Sequence, residues 1–194
     1  MITIIEYGDE CSQKVASALQ QITNDFLISR NESDIYQSDK LIFPGSGSAS
    51  VAMKKIHLLN LYSALRIFKK PILGIGLGMQ LMTDYSTEGN FPCLGFFPGT
   101  AIRFADTIEQ STYKGFHPIN FVKPSKLFTG IEDKTEFFFN NSYYLPKNDL
   151  TTSVRYKPIE YCSSIEKENA YGVQFHPEMS GEAGLKLLKN FVEM

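Results

Sequence analysis

The sequence predicts an α/β fold: a mostly parallel, open sheet flanked by helices, with an antiparallel or mixed sheet elaborating its second half. Two features of the chain predict the two parts. Up to about residue 82, short apolar runs alternate with segments of helical period, the pattern of parallel strands covered on both faces. From residue 93 to 175 many short β-type runs follow one another, broken by Gly, Pro and Asn, with no helical pattern between them.

The elements follow in order. "ITIIEY" is an apolar strand, and residues 11–22 carry Val15, Ala18, Leu19 and Ile22 at helical spacing. "DFLIS" and "KLIFPG" are strand-like runs. Residues 49–68 predict one long helix with Ala52, Ile56, Leu59 and Tyr62 on one face, ended by Pro71. "PILGI" is then a buried strand, and Met79 to Met82 the start of the next helix. The second half supplies "LGFF", "TAIRF", "FHPINFV", "TEFFFN" and "TTSVRY". Ser180 is expected to cap a last helix over Gly181–Glu193, with Leu185, Leu188 and Phe191 or Val192 facing inward. In open parallel sheets ligands sit beyond the carboxyl ends of the strands. "PGSGSAS" (44–50), "GIGLGMQ" (74–80) and "QFHPE" (174–178) are the loops placed there, and their convergence is the central expectation.

Bulk properties narrow the function. A chain of 194 residues fits one domain spanning 1–194, with a substantial core. A net charge of −2 argues against a nucleic-acid partner. The apolar runs fall short of a membrane span, and "MITIIEYGDE" lacks the basic start and cleavage site of a signal peptide. Cys11, Cys93 and Cys162 are widely spaced with no CxxC pair. That offers neither a disulfide framework nor a zinc site, and it suits a reducing cytoplasm.

Gly74-Ile75-Gly76-Leu77-Gly78 lies between a strand and a helix, with the spacing of a nucleophile elbow and a glycine in the nucleophile's slot. The dinucleotide-binding fingerprint needs a glycine where Met79 stands, and no Lys-Ser/Thr follows for a P-loop. A functionless tight turn remains an alternative. His176, beyond a strand end and followed by Pro177, has Glu178 placed to fold back onto its ring; a carboxylate there fixes the tautomer of a general base. A surface histidine beside a proline turn is the plainer reading. Backbone N–H groups around Gly45, Ser46 and Gly47, with that of Leu77, suit an oxyanion. "NNSYY" (140–144) offers polar groups for a substrate, and His57 and His117 read as structural.

These motifs, in this order, resemble the class I (triad) glutamine amidotransferases, and more narrowly the glutaminase subunits of imidazole glycerol phosphate synthase. "IFPGSGSASVAMKK", "LGIGLGMQLM", "STEGNFPCLGFFPG", "NSYY" and "YGVQFHPEMSGEAGLKLLKNF" carry the likeness. The loop after the third strand and the start of the last helix fit this group better than the glutaminase of pyridoxal phosphate synthesis. The resemblance implies a flavodoxin-like sheet and a triad of a cysteine at position 76, His176 and Glu178. It implies oxyanion N–H groups at Ser46 and Leu77, and a glutamine pocket lined by Gly47, Gln80, Ser142 and Tyr143. Ammonia would pass to a (β/α)8-barrel cyclase partner in histidine biosynthesis, without metal or organic cofactor.

The departures are as informative. Gly76 fills the cysteine's place, and Cys93 and Cys162 fall outside the elbow. "EYGDE" stands where the family has an Asp-Tyr-Gly stretch ending in Gly-Asn. "KGFHPINF" replaces a His-Met-Gly-Trp-Asn stretch bordering the partner side, and Asn141 replaces a histidine before "SYY". Several changes together fit natural drift to a glutaminase-dead form better than one substitution made to trap glutamine. The expected function is that of the glutaminase subunit with its hydrolysis lost; the alternative is a paralogue that only binds glutamine or a partner.

Overall fold

The computed structural model describes residues 1–8, 10–104, 112–157 and 159–194; Asp9 of "EYGDE" lies outside them. The first half runs β1 (Ile2–Ile5), α1 (Cys11–Leu19), β2 (Phe26–Ser29), α2 (Glu32–Gln37), β3 (Lys40–Gly45), α3 (Ala49–Leu58), α4 (Leu61–Ile67), β4 (Ile72–Gly76) and α5 (Leu77–Leu81). The second runs β5 (Thr83–Ser86), β6 (Phe91–Pro92), β7 (Phe97–Arg103), β8 (Tyr113–Pro118), β9 (Asn120–Phe121), β10 (Glu136–Asn141), β11 (Tyr143–Tyr144), β12 (Thr151–Arg155), β13 (Tyr161–Lys167), β14 (Ala170–Val173) and α6 (Gly181–Glu193).

The main sheet has the order β2-β1-β3-β4-β14-β13-β12-β9. Its strands from β2 to β14 are parallel, and β13, β12 and β9 extend it antiparallel. A hairpin of β8 and β10 and a smaller sheet ordered β11-β7-β5-β6 complete the mixed half. The apolar runs are buried because both sheet faces are covered. In β3, Leu41 and Phe43 pack on the α3/α4 side, while Ile42 faces Val15 and Leu19 of α1 and Leu187, Leu188 and Phe191 of α6. Register brings Gly45 opposite Gly76 and Val173 opposite Ile75. The loops after β3, β4 and β14 therefore meet on one rim. No helix among the described residues is long and apolar enough to cross a membrane.

Several expectations need correction. The helix expected over 49–68 is two helices, broken at Asn60, which takes a left-handed φ of 59°; asparagine tolerates that conformation where most residues do not. The break turns Leu61 and Leu65 into the core and leaves Leu59 and Tyr62 only half-buried. α1 ends at Leu19, and Ile22 follows in a turn. α5 starts at Leu77, ahead of Met79, because Gly76 makes the whole turn itself. The short α2, with Ile35 its buried residue, had no periodicity to announce it. Leu94 to Phe96 of "LGFF" is loop, and β5 and β6 precede it. "FHPINFV" changes sheets: β8 ends at Pro118, which has no N–H to continue a ladder, and β9 pairs instead with β12. Ser180 holds the N-cap position of α6 without a side-chain capping bond. Its hydroxyl instead donates to the carbonyl of His176 at 2.6 Å and accepts from the Phe138 N–H at 2.9 Å.

Candidate active site

Gly76 closes β4 with φ 59° and ψ −116° and is the N-cap of α5, a conformation open to glycine and strained for other residues. A Cβ placed on it would lie 2.8 Å from Cε1 of His176, 3.1 Å from Nε2 and 3.0 Å from the Gly45 carbonyl oxygen. Any side chain at position 76 is thus aimed at the edge of the His176 ring. The elbow geometry is present without its reactive atom.

His176 is held at three points. Its N–H donates to the Phe138 carbonyl at 2.8 Å, and its carbonyl accepts from Ser180. Its Nδ1 lies 2.8 Å from Oε1 of Glu178, whose side chain is fully buried. Pro177 fixes the turn between them, a single 3-10 helix over Pro177–Met179. With the carboxylate accepting from Nδ1–H, the neutral ring presents the lone pair of Nε2 toward position 76.

A cavity of about 410 Å³ opens beside this pair. The structure brings Ser46, Gly47, Leu77, Gln80, Ser142, Tyr143 and His176 together in its lining. Glu178 stands behind His176 and does not line it. The Leu77 N–H, first in α5, has no partner within the helix. Gln80 is more constrained than expected: its Nε2 donates to the Tyr143 carbonyl and to Oε1 of Gln174, both at 2.9 Å. It ties α5 to β11 and to the end of β14, leaving its own oxygen as the atom for a ligand.

Glu88, Arg103, Asn140 and Gln174 also line the cavity and have no role assigned from sequence. Glu88 accepts from the Ala49 N–H at 2.6 Å, pinning the start of α3 beside the 44–50 loop. Arg103 makes no ion pair among the described residues. A carboxylate and a guanidinium therefore share a cavity whose lining holds no second acid. They belong to the stretches "STEGN" and "TAIRF", where nothing local marks either as facing a ligand. Asn141 is buried and donates to the Tyr143 carbonyl at 2.9 Å, a bond that shapes the wall. His57 stacks on Tyr62 and His117 packs near Phe139, both away from the cavity.

No cysteine takes over the missing role. Burial pushes the thiols of Cys93 and Cys162 up to about 12, and a thiol at that value holds almost no thiolate near neutrality. Cys11 is buried as well, and none of the three lines the cavity. Under native conditions at pH 8 the protein is expected to give no fast reaction with a disulfide reagent. Gly76→Cys is expected to add one fast-reacting thiol per chain. A fast equivalent in the unaltered protein would contradict this burial.

Comparison with known proteins agrees with the geometry. The glutamine amidotransferase class-I family profile matches residues 3–194. The imidazole glycerol phosphate synthase subunit HisH of Haemophilus influenzae is 40% identical over 192 residues, covering 99% of this chain and 96% of the relative. HisH of Mannheimia succiniciproducens is 38% identical, covering 98% of each chain. HisH 1 of Campylobacter jejuni is 35% identical over the full length of both. Among solved structures, PurLQS from Thermotoga maritima superposes with a TM-score of 0.74 at 18% identity, covering 99% of this chain and 97% of the matched one. The glutaminase domain of Trypanosoma brucei CTPS, with bound acivicin, gives 0.69 at 14%, covering 99% and 93%; at these identities the likeness is one of fold. The profile match, the full-length relatives and the elbow facing a histidine–glutamate pair lead to one conclusion: the chain belongs to the class-I glutamine amidotransferases.

Proposed function

We propose that the chain is the glutamine-binding subunit of an imidazole glycerol phosphate synthase, acting in the cytoplasm as one amidotransferase domain over 1–194, with the glutaminase step lost at Gly76. The observation that carries this reading is the position of His176. Its Nε2 stands 3.1 Å from where a nucleophile's Cβ would be, and Glu178 still holds the ring. Cysteine amidotransfer needs a thiolate to attack the side-chain amide and a histidine to protonate the leaving ammonia. His176 and Glu178 retain the geometry of base and orienter, and glycine supplies nothing to attack with.

The cavity suits an α-amino acid. Glu88 and Arg103 offer opposite charges for its ammonium and carboxylate groups. Gly47, Gln80, Ser142 and Tyr143 form the polar wall around the side-chain amide. We assign the N–H groups of Ser46 and Leu77, two residues of the cavity's lining, to stabilising the oxyanion. The relatives are named as subunits of a synthase, which supports a partner for this chain, and we assign that partner as the (β/α)8-barrel cyclase. Phe116 and Met179 are exposed apolar side chains. Phe116 stands edge-on to Phe138, itself 6.5 Å from the His176 ring, and Met179 ends the turn after it. We assign this surface, which lies beside the His176 end of the site, to the partner.

The intact pocket without a nucleophile also supports a second reading, a paralogue that holds glutamine as a signal. One experiment tests the core of both: glutamine titrated into the protein by calorimetry, with ammonia release followed in parallel, with and without the cyclase. Saturable binding with no ammonia above the blank is expected. Glutamine-dependent ammonia release would overturn the loss of hydrolysis. Absence of binding would overturn the pocket.

A further inference from the structure

The amino ends of β4 and β14, opposite the rim that carries Gly76 and His176, open on a second cleft of about 250 Å³. Ile72 and Ala170, paired in register, form its floor. About 13 Å of strand, four residues at about 3.3 Å each, separates it from the first cavity. The two share no residue.

The lining is cationic in a chain whose net charge is −2. Arg66, Lys69, Lys70 and Lys167 face it, against the single carboxylate of Glu168. Two of these cations are already engaged. Lys70 donates to the Ser38 carbonyl at 2.7 Å and lies 3.8 Å from Asp39. Arg66 lies over the Tyr62 ring at 5.6 Å. Lys69 and Lys167 are exposed, and their ammonium groups have no ion pair or hydrogen bond among the described residues.

The walls are fixed in advance of any ligand. Asn169 donates from its side chain to the Lys69 carbonyl at 2.9 Å and accepts at its own carbonyl from the Ile72 N–H, also at 2.9 Å. These bonds clamp the β13–β14 turn to the segment before β4. The remaining wall, Leu94 to Phe96, is tied by its N–H groups to the carbonyls of Leu81, Thr83 and Met82. Glu168 turns the hairpin at φ 55°, a conformation that strains a glutamate and that holds Lys167 at the mouth. Half-buried Phe96 adds a flat apolar face.

We propose that this cleft binds a phosphorylated small molecule carrying at least two negative charges. Flexible ammonium groups are point-charge partners for phosphate oxygens, and two uncommitted lysines beside a guanidinium match a polyanion better than a single carboxylate. This proposal stands apart from the glutamine reading and can fail or hold without it.

The test is calorimetric titration of the full chain with inorganic pyrophosphate, with malonate at equal ionic strength as control. Saturable one-site binding is expected for pyrophosphate. The Lys69→Ala/Lys167→Ala variant should weaken it at least about tenfold, while Lys69→Arg/Lys167→Arg should stay within about twofold of the unaltered protein. Lys126→Ala/Lys186→Ala, which removes the same charge elsewhere, should leave it unchanged. Melting curves check that the exposed substitutions leave the fold intact. Absence of binding, equal binding of malonate, or full affinity in the double alanine variant would each overturn the proposal.

Discussion

Gly76→Cys is expected to release ammonia from glutamine at least about a hundredfold faster than the unaltered protein in the presence of the cyclase, because it returns the one group the mechanism lacks. The proposed base and its orienter are positioned for it: Nε2 of His176 faces the slot, Glu178 holds the ring, and the cavity lies beside the ring. The gain should vanish in Gly76→Cys/His176→Ala, which separates triad chemistry from adventitious hydrolysis. The substitution also has a structural penalty. The new Cβ would meet Cε1 of His176 at 2.8 Å, so the ring must yield by a few tenths of an ångström against its tether to Glu178. The backbone at φ 59° adds strain of about 1–3 kcal/mol for a non-glycine residue. The denaturation midpoint should therefore fall or stay level while activity appears. A rise in stability would contradict the elbow geometry. A silent cysteine variant that still binds glutamine would place further lesions at Asn141 or in the "KGFHPINF" segment.

The sequence made the site more legible than the fold's details, and the reason lies in what each depends on. Gly76, His176 and Glu178 belong to short motifs whose geometry is local: one strand-to-helix turn and one proline-fixed turn. Each could be placed once the strands before it were recognised, and parallel register then brought them together. Leu77 directly follows the elbow, and Ser46 and Gly47 lie in the loop after β3, which the same register brings to that rim. Glu88 and Arg103 were not legible, because what turns them to the cavity is the packing of the small sheet of β5, β6, β7 and β11 against the rim. The same limit hid the break at Asn60, where helical period continues across a residue whose φ reverses. It also hid the role of Ser180, which looks like a cap in sequence. Its hydroxyl is claimed by His176 and Phe138, contacts that exist only after β10 has docked.

That docking explains why a residue remote from the cavity carries the second large effect. Gly184→Ala is expected to destabilise the protein by about 3 kcal/mol, at the upper end of overpacking effects. For a chain of this size that corresponds to a fall of roughly 6–12 °C in melting temperature. A Cβ at Gly184 would lie 1.9 Å from the carbonyl oxygen of Pro177 and 2.7 Å from its carbonyl carbon. The obstacle is backbone, so no rotamer change relieves it. Either α6 lifts from the sheet, exposing Leu187, Leu188 and Phe191, or the Pro177–Met179 turn moves. The second route displaces Glu178 from the 2.8 Å contact that orients His176. In a Gly76→Cys background the two routes are distinguishable. Loss of stability with activity retained at low temperature means that α6 has moved. Loss of activity well below the melting transition means that the turn has. Lys186→Ala, on the exposed side of the same helix, should change the melting temperature little. An unaltered melting curve for Gly184→Ala would mean that the helix does not press on the Pro177–Met179 turn, and the rigidity of the His176–Glu178 pair would need another source.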